Sequence, residues 1–260
     1  MTPTPGESAF QGQMRRSGGR AWRAQTATEI RSTIRRGDAV LLNLAIPVAL
    51  LVFFSLVKVL PLPSGVDRPV DFLAPGVFAL AVMSSAMVSV AIATGFERQY
   101  GVLKRLGSTP LGRPKLLAAK IAATATVEVF QVIVLSGVAV ALGWRPNGPL
   151  GLAAIALLAG TSAFTGLGLL MAGSLRAEVT LAAANGLYLA LLLLGGMIFP
   201  ISRLPAGLRY VAESLPSGAL SQVLHSAVNA AVPQSFGEWL VLACWAVVAP
   251  VAAAGTFRWD

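Results

Sequence analysis

Charge is scarce in this sequence. Only 12% of its 260 residues are Asp, Glu, Lys or Arg, about half the share of an average soluble chain, and that excludes an ordinary water-soluble domain. Reactive side chains are scarce as well. The one cysteine, Cys244, has no partner for an intrachain disulfide. Together with the one histidine, His225, it falls short of the four ligands that a structural zinc site takes. No G-x-x-x-x-G-K-[ST] phosphate loop, no H-E-x-x-H pair and no Ser-His-Asp order in workable register occurs. The expectation is a chain with no catalytic residues, no metal and no cofactor of its own.

What is present is hydrocarbon, at 55% of residues. Long stretches carry no charge: 39–57, 72–96, 121–144 apart from Glu128, 146–175, 179–202 and 239–257. A spanning helix needs about 20 apolar residues, so six spans are expected at about 39–60, 72–95, 116–142, 149–173, 179–200 and 238–257. They leave room for tails and connections but not for a large soluble domain. On this map 15 of the 20 basic residues fall on one side and five (Lys58, Arg68, Arg145, Arg203 and Arg209) on the other. The positive-inside rule then places both termini in the cytoplasm of a multi-pass plasma (inner) membrane protein. The same asymmetry accounts for the net charge of +9 without a nucleic-acid partner.

The fold class expected is therefore all-α integral membrane. Six transmembrane helices are preceded by an amphipathic interfacial helix, and an outer re-entrant hairpin precedes the last span. Residues 1–20, rich in Gly, Pro and Arg, read as a disordered basic tail, without the apolar core of a cleavable leader. Residues 21–260 read as a single transmembrane domain. Over 21–36, Trp22, Thr26, Ile30 and Ile34 recur every fourth position among arginines. That pattern fits a helix lying on the membrane surface, with Trp22, Ile30 and Ile34 in the interface and the arginines on lipid headgroups; a basic arm without structure is the alternative.

Two spans stand out by composition. Span two is rich in Ala, Ser and Met, and span four holds Gly160, Gly166, Gly168 and Gly173; small residues of this kind let helices approach closely. Span three holds Glu128, with Gln131 on the same face. A carboxylate near the bilayer centre costs about 2.5–3.5 kcal/mol on insertion scales, so the pair is either a translocation-path contact or a bond to a neighbouring helix. Before the last span, residues 214–237 lack charge but hold Ser217, Ser221, Gln222, His225, Asn229, Pro216 and Pro233. That is too polar for a lipid-facing span, and 200–237 reads as a partly re-entrant or interfacial hairpin whose backbone is covered by protein or water.

Between spans two and three runs Phe96-Glu-Arg-Gln-Tyr-Gly-Val-Leu-Lys-Arg-Leu-Gly-Ser-Thr-Pro-Leu-Gly-Arg-Pro-Lys115. Tyr100, Leu103 and Leu106 are spaced to share one face of a short helix that Gly107 and Pro110 would end, giving either an apolar knob suited to a partner's groove or an amphipathic surface helix. The run Glu97-Arg98-x-x-Gly101-x-Leu103-Lys104-Arg105-Leu106-x-x-Thr109-Pro110-Leu111, followed by Arg113, Leu116 and Lys120, resembles the inner-loop signature of ATP-binding-cassette type-2 exporter permeases. The run 195–200, Gly-Gly-Met-Ile-Phe-Pro200, with Pro205 and Pro216, is similar to that family's fifth span and outer hairpin.

The resemblance implies a transmembrane permease subunit of an ATP-driven exporter. It would pair with a second permease subunit, as homo- or heterodimer, and with two copies of a separate cytosolic ABC ATPase that holds ATP and Mg. The partner-coupling residues it implies are Glu97, Arg98, Tyr100, Gly101, Leu103, Arg105, Leu106, Thr109 and Pro110. Few charges along the spans suit a drug-like or lipidic cargo better than a small ion. Two rival readings are a membrane-embedded lipid-modifying enzyme using Glu128 or His225, and a non-catalytic membrane scaffold.

Overall fold

The computed structural model describes residues 26–29, 31, 37–57, 68–107, 113–198 and 200–256. Trp22, Ile30 and Ile34 of the expected surface helix, the tail 1–20, and Thr109 and Pro110 lie outside the described residues. Of Leu106 only the helical backbone is described.

Among the described residues every regular element is a helix. Helix α1 spans Gly37–Leu56. Helix α2, Pro69–Val82, runs through a π-helical stretch, Met83–Ser89, into α3, Val90–Gln99. Short α4 is Val102–Gly107, and the long α5 is Arg113–Ala141. Helices α6, Leu150–Ser174, and α7, Ala177–Leu194, form a hairpin joined by a tight turn. Then come a 3-10 turn, Ile201–Arg203, α8, Ala206–Ser214, α9, Pro216–Val228, and α10, Phe236–Thr256.

Five helices among the described residues are long and apolar enough to cross a membrane: Pro69–Gln99, Lys115–Ala141, Leu150–Ser174, Ala177–Leu194 and Phe236–Thr256. The apolar part described for α1, Asn43–Leu56, is shorter. The chain is an all-helical multi-pass membrane protein.

Small residues decide which helix sits at the centre. The most apolar window of Pro69–Gln99 is 67% buried, against 17% for Phe236–Thr256. In α2 the residues from Phe72 to Val82 are buried without interruption, and Ala74, Gly76, Ala79 and Ala81 among them admit close neighbours. The same argument holds for α6. A Cβ on Gly160 would strike the Leu220 side chain of α9, one on Gly166 the backbone of Ala249 and Pro250 in α10, and one on Gly168 the Met87 carbonyl of the π-helical stretch. Phe164 on α6 is fully buried among them.

Span five ends earlier than expected. The apolar run to Pro200 predicts a helix to that point, but α7 stops at Leu194, where the Gly195 N–H closes on the Leu191 carbonyl. Gly196 then takes a positive φ of 67°, open to glycine at little cost, and the chain turns back toward the bundle.

The segment before the last span is a helical hairpin. Pro200 precedes the 3-10 turn, Pro205 precedes α8, and Pro216 opens α9 at its first turn, where a missing N–H costs no helical bond. Helix α8 leaves Leu208, Tyr210 and Val211 exposed, whereas α9 buries Ser217, Ser221 and Ser226 together with its apolar residues. It packs against α2, α6 and α10. Ser226 donates to the Val223 carbonyl within α9 and Ser221 to the Gly196 carbonyl just beyond α7, while Ser217 is buried with no partner for its hydroxyl among the described residues, so protein rather than lipid covers these groups.

Candidate functional site

The bundle has two ends, one carrying α4 and the other the α8–α9 hairpin. At the α4 end, three consecutive residues reach three different helices. Glu97 accepts a 2.8 Å ion-pair bond from Lys120 of α5. The Arg98 guanidinium donates to the carbonyls of Ala172, at 2.9 Å, and Leu175, at 3.5 Å. It thereby caps the C-terminal end of α6, where unpaired carbonyls gather negative charge. The Gln99 amide donates to Glu178 in the first turn of α7 at 3.0 Å. Lys120 also contacts Glu29 at 3.3 Å. With side-chain exposures of 4% for Lys120, 17% for Glu97 and 12% for Glu29, this is a buried fork rather than a solvated surface pair.

The short helix beyond them departs from the expected single apolar face. Helix α3 ends at Gln99, Tyr100 is a turn residue, and Gly101 has φ of 71°. Tyr100 and Leu103 therefore belong to different elements. Leu103 is fully buried, in a small cluster with Leu116 and Leu117 of α5, Leu169 of α6 and Ala253 of α10. It anchors α4 to its own bundle instead of projecting as a knob. Tyr100, at 72% exposure, stacks on Phe96, and with Val102, Lys104 and Arg105 it faces away from the bundle.

The second feature is a polar stripe inside the bundle. Lys120, Thr124, Glu128 and Gln131 on α5 are all buried; their 4-4-3 spacing puts them on one helical face. Farther along, the same face continues with buried Leu135 and Ala139, so it is polar at the α4 end and apolar toward the hairpin. Ser85 of the π-helical stretch lies 3.0 Å from Glu128 Oε1, and Thr161 of α6 contacts Oε2. Gln131 is fully buried, and neither of its amide atoms has a partner among the described residues.

At the hairpin end a cavity of about 320 Å³ is lined by Asp71, Arg209, Glu213, Glu238, Gln222 and His225, among others. Arg209 pairs with Glu213 on the surface at 2.8 Å. The two ring nitrogens of His225 face the carbonyls of Ser221, at 2.7 Å, and Phe72, at 3.0 Å. Burial holds the imidazole below its ordinary value against the pull of those two carbonyls. A neutral ring has one N–H, and with the hydrogen on Nε2 His225 donates to the Phe72 carbonyl and ties α9 to the start of α2. Among the described residues no cluster of three His, Cys, Asp or Glu could hold a metal ion.

The family model described as ABC-2 type transporter matches residues 20–225. The chain belongs to that family. A protein of Bacillus subtilis (strain 168) named "Putative transport permease YvfS" is 25% identical over 201 residues, which cover 74% of this chain and 79% of the relative. This ABC-2 chain is thus a membrane transport permease. The match includes the α4 end, the polar stripe and most of α9, so these features sit within the family's own segment and not in an added extension.

Glu97, Arg98, Gly101 and Glu128 are among the candidates legible in the sequence, whereas Gln99, Glu178 and Glu29 are not, and Lys120 enters there only as the end of the loop signature. The missed signal was the helical spacing of Lys120 with Thr124, Glu128 and Gln131, which marks Lys120 as part of a buried face.

Proposed function

We propose that this chain is the transmembrane permease subunit of an ATP-driven exporter, working beside a second permease subunit. Two copies of a cytosolic ABC ATPase, which hold ATP and Mg, would drive it through the segment 97–111. Six spans with both termini in the cytoplasm put α4 on the ATPase side, and 200–237 becomes the outer, partly re-entrant hairpin. The single observation that carries this reading is the branching at Glu97, Arg98 and Gln99 into α5, α6 and α7. A force applied to the exposed face of Tyr100, Val102, Lys104 and Arg105 is delivered at once to three spans. The buried Leu103 keeps α4 from swinging freely on its own linker.

In this reading the permease does no bond chemistry. ATP-driven closure of the partner displaces α4 as a rigid piece, and the spans bound to it rock about a path that takes an amphipathic or lipidic cargo. Glu128 and Gln131 face that path or the helices around it. The test is the double variant Glu97→Ala with Arg105→Ala in the assembled transporter. It is expected to insert normally and to hydrolyse ATP without moving cargo. Full cargo-stimulated export by that variant would remove the coupling role.

A further inference from the structure

Among the described residues no cation answers the buried carboxyl of Glu128. It is 4% exposed, and its contacts among the described residues are the hydroxyls of Ser85 and Thr161. The elements packed against α5 are α1, α2, the π-helical stretch, α6 and α10. Their charged residues stand at helix ends: Asp38 in the first turn of α1, Asp71 in that of α2, and Glu238 in that of α10, while α6 and the π-helical stretch have none. On α5 itself Lys120 is eight residues away, about 12 Å along the axis at 1.5 Å per residue, and it is already held by Glu97 and Glu29.

Counting hydrogens gives an independent argument. Each hydroxyl owns one hydrogen. Ser85 Oγ lies 2.9 Å from the Ala81 carbonyl and 3.4 Å from that of Val82 as well as 3.0 Å from Glu128 Oε1. Thr161 Oγ1 lies 2.8 Å from the Leu157 carbonyl as well as in contact with Glu128 Oε2. Carbonyls only accept, so an ionised Glu128 leaves two hydrogens for five oxygen–oxygen lines. A hydrogen on Glu128 raises that to three. Glu128 then donates to Thr161, Thr161 donates to Leu157, and Ser85 donates to the remaining Glu128 oxygen.

We propose that Glu128 is a proton-binding site, a neutral carboxylic acid joining α5 to α6 and to the π-helical stretch in the middle of the bundle. A neutral acid can release and remake these bonds without carrying a charge through hydrocarbon, where ions are costly. The joint therefore suits helices that shift past one another. It also leaves no fixed charge there for a cargo to read. Unpartnered Gln131 lies one turn farther along the same face, placed to meet a water beside the joint.

The test uses the full chain in lipid nanodiscs and does not depend on transport, so it stands or falls separately from the exporter reading. Infrared spectra of the wild type are expected to contain the carbonyl stretch of a protonated carboxyl group that is missing in Glu128→Gln. The Gln variant, whose amide can donate to Thr161 and accept from Ser85, is expected to melt close to the wild type. Glu128→Leu, similar in size but without either bond, is expected to melt several degrees lower. Absence of the protonated band from the wild type would overturn the proposal, as would a Gln variant that melts with the Leu variant. So would a rise in wild-type melting temperature with sodium or potassium that Glu128→Gln abolishes, because that result would put a metal cation in place of the proton.

Discussion

The buried fork at Lys120 can be tested by removing its centre. Lys120→Met keeps the length and apolar stem of the side chain but leaves the Glu97 and Glu29 carboxylates turned toward each other with most of their water excluded. Breaking a buried ion pair from one side costs about 3–5 kcal/mol. Both glutamates have further contacts of their own, which places the expected loss at the lower end, about 3 kcal/mol. At about 2–4 °C per kcal/mol for a chain of this size, the melting temperature should fall by roughly 6–12 °C. Glu97→Gln is milder, because Lys120 keeps Glu29 at 3.3 Å and a charged hydrogen bond is worth about 1.5–3 kcal/mol. The informative quantity is the double variant. Once Lys120 is gone, neutralising Glu97 relieves repulsion, so Lys120→Met with Glu97→Gln should lose less than the two single losses combined, by about 1–2 kcal/mol. Tryptophan fluorescence of the four proteins, melted in nanodiscs, measures the cycle. Losses that add to within about 0.5 kcal/mol would show that the two side chains do not interact, and the fork would drop out of the account of the α4 end.

Two further outcomes follow from packing and topology. Gly166→Ala places a methyl against the backbone of Ala249 and Pro250 and should cost about 1–3 kcal/mol as overpacking. Gly186→Ala, on α7 where a Cβ meets nothing, should melt with the wild type, so equal melting of the two variants would contradict the α6–α10 contact. In a Cys244→Ser background, Tyr100→Cys should react with a membrane-impermeant thiol reagent only in opened cells, and Tyr210→Cys, on exposed α8, in intact ones. Labelling of Tyr100→Cys from outside intact cells would exclude a cytosolic ATPase docked on α4.

How far the sequence alone reached depended on whether a feature is written in composition or in backbone conformation. Five of the six charge-free runs coincide with helices long and apolar enough to cross a membrane, because hydropathy is a property of each residue in turn. Glycines on α6 announced a packing helix for the same reason, as an absent side chain leaves room whatever lies opposite. The short helix of the loop was misread. Tyr100, Leu103 and Leu106 have helical spacing, but Gly101 turns the chain through positive φ and sends Tyr100 outward while Leu103 goes in. Periodicity presumes an unbroken helix, and a glycine licenses the break without requiring it. Likewise a run of apolar residues through Phe199 hid the end of α7, since Gly195 and Gly196 are tolerated inside a membrane helix as readily as they stop one. Lys120 was counted among the loop cations because a lysine near a span boundary usually snorkels to the headgroups. Its burial follows from two acidic partners contributed by elements distant in sequence, Glu29 and Glu97, which no local pattern brings together.

These observations combine along α5. Its buried face changes character from an ion fork at Lys120, through the polar side chains of Thr124, Glu128 and Gln131, to purely apolar packing at Leu135 and Ala139. Apolar packing is non-directional and resists separation, whereas hydrogen bonds between side chains can be exchanged within a fixed set of helices. A displacement entering at the fork therefore meets its most adaptable contacts in the middle of the bundle and its least adaptable ones toward the hairpin. The π-helical stretch lies at the same level as the adaptable part, since Ser85 touches Glu128 directly. Departures from regular α-helix of this kind accompany places where a helix adjusts its register. The contacts thus favour movement of the α4 half of α5 against α6 and the π-helical stretch, while the half near α9 holds its position.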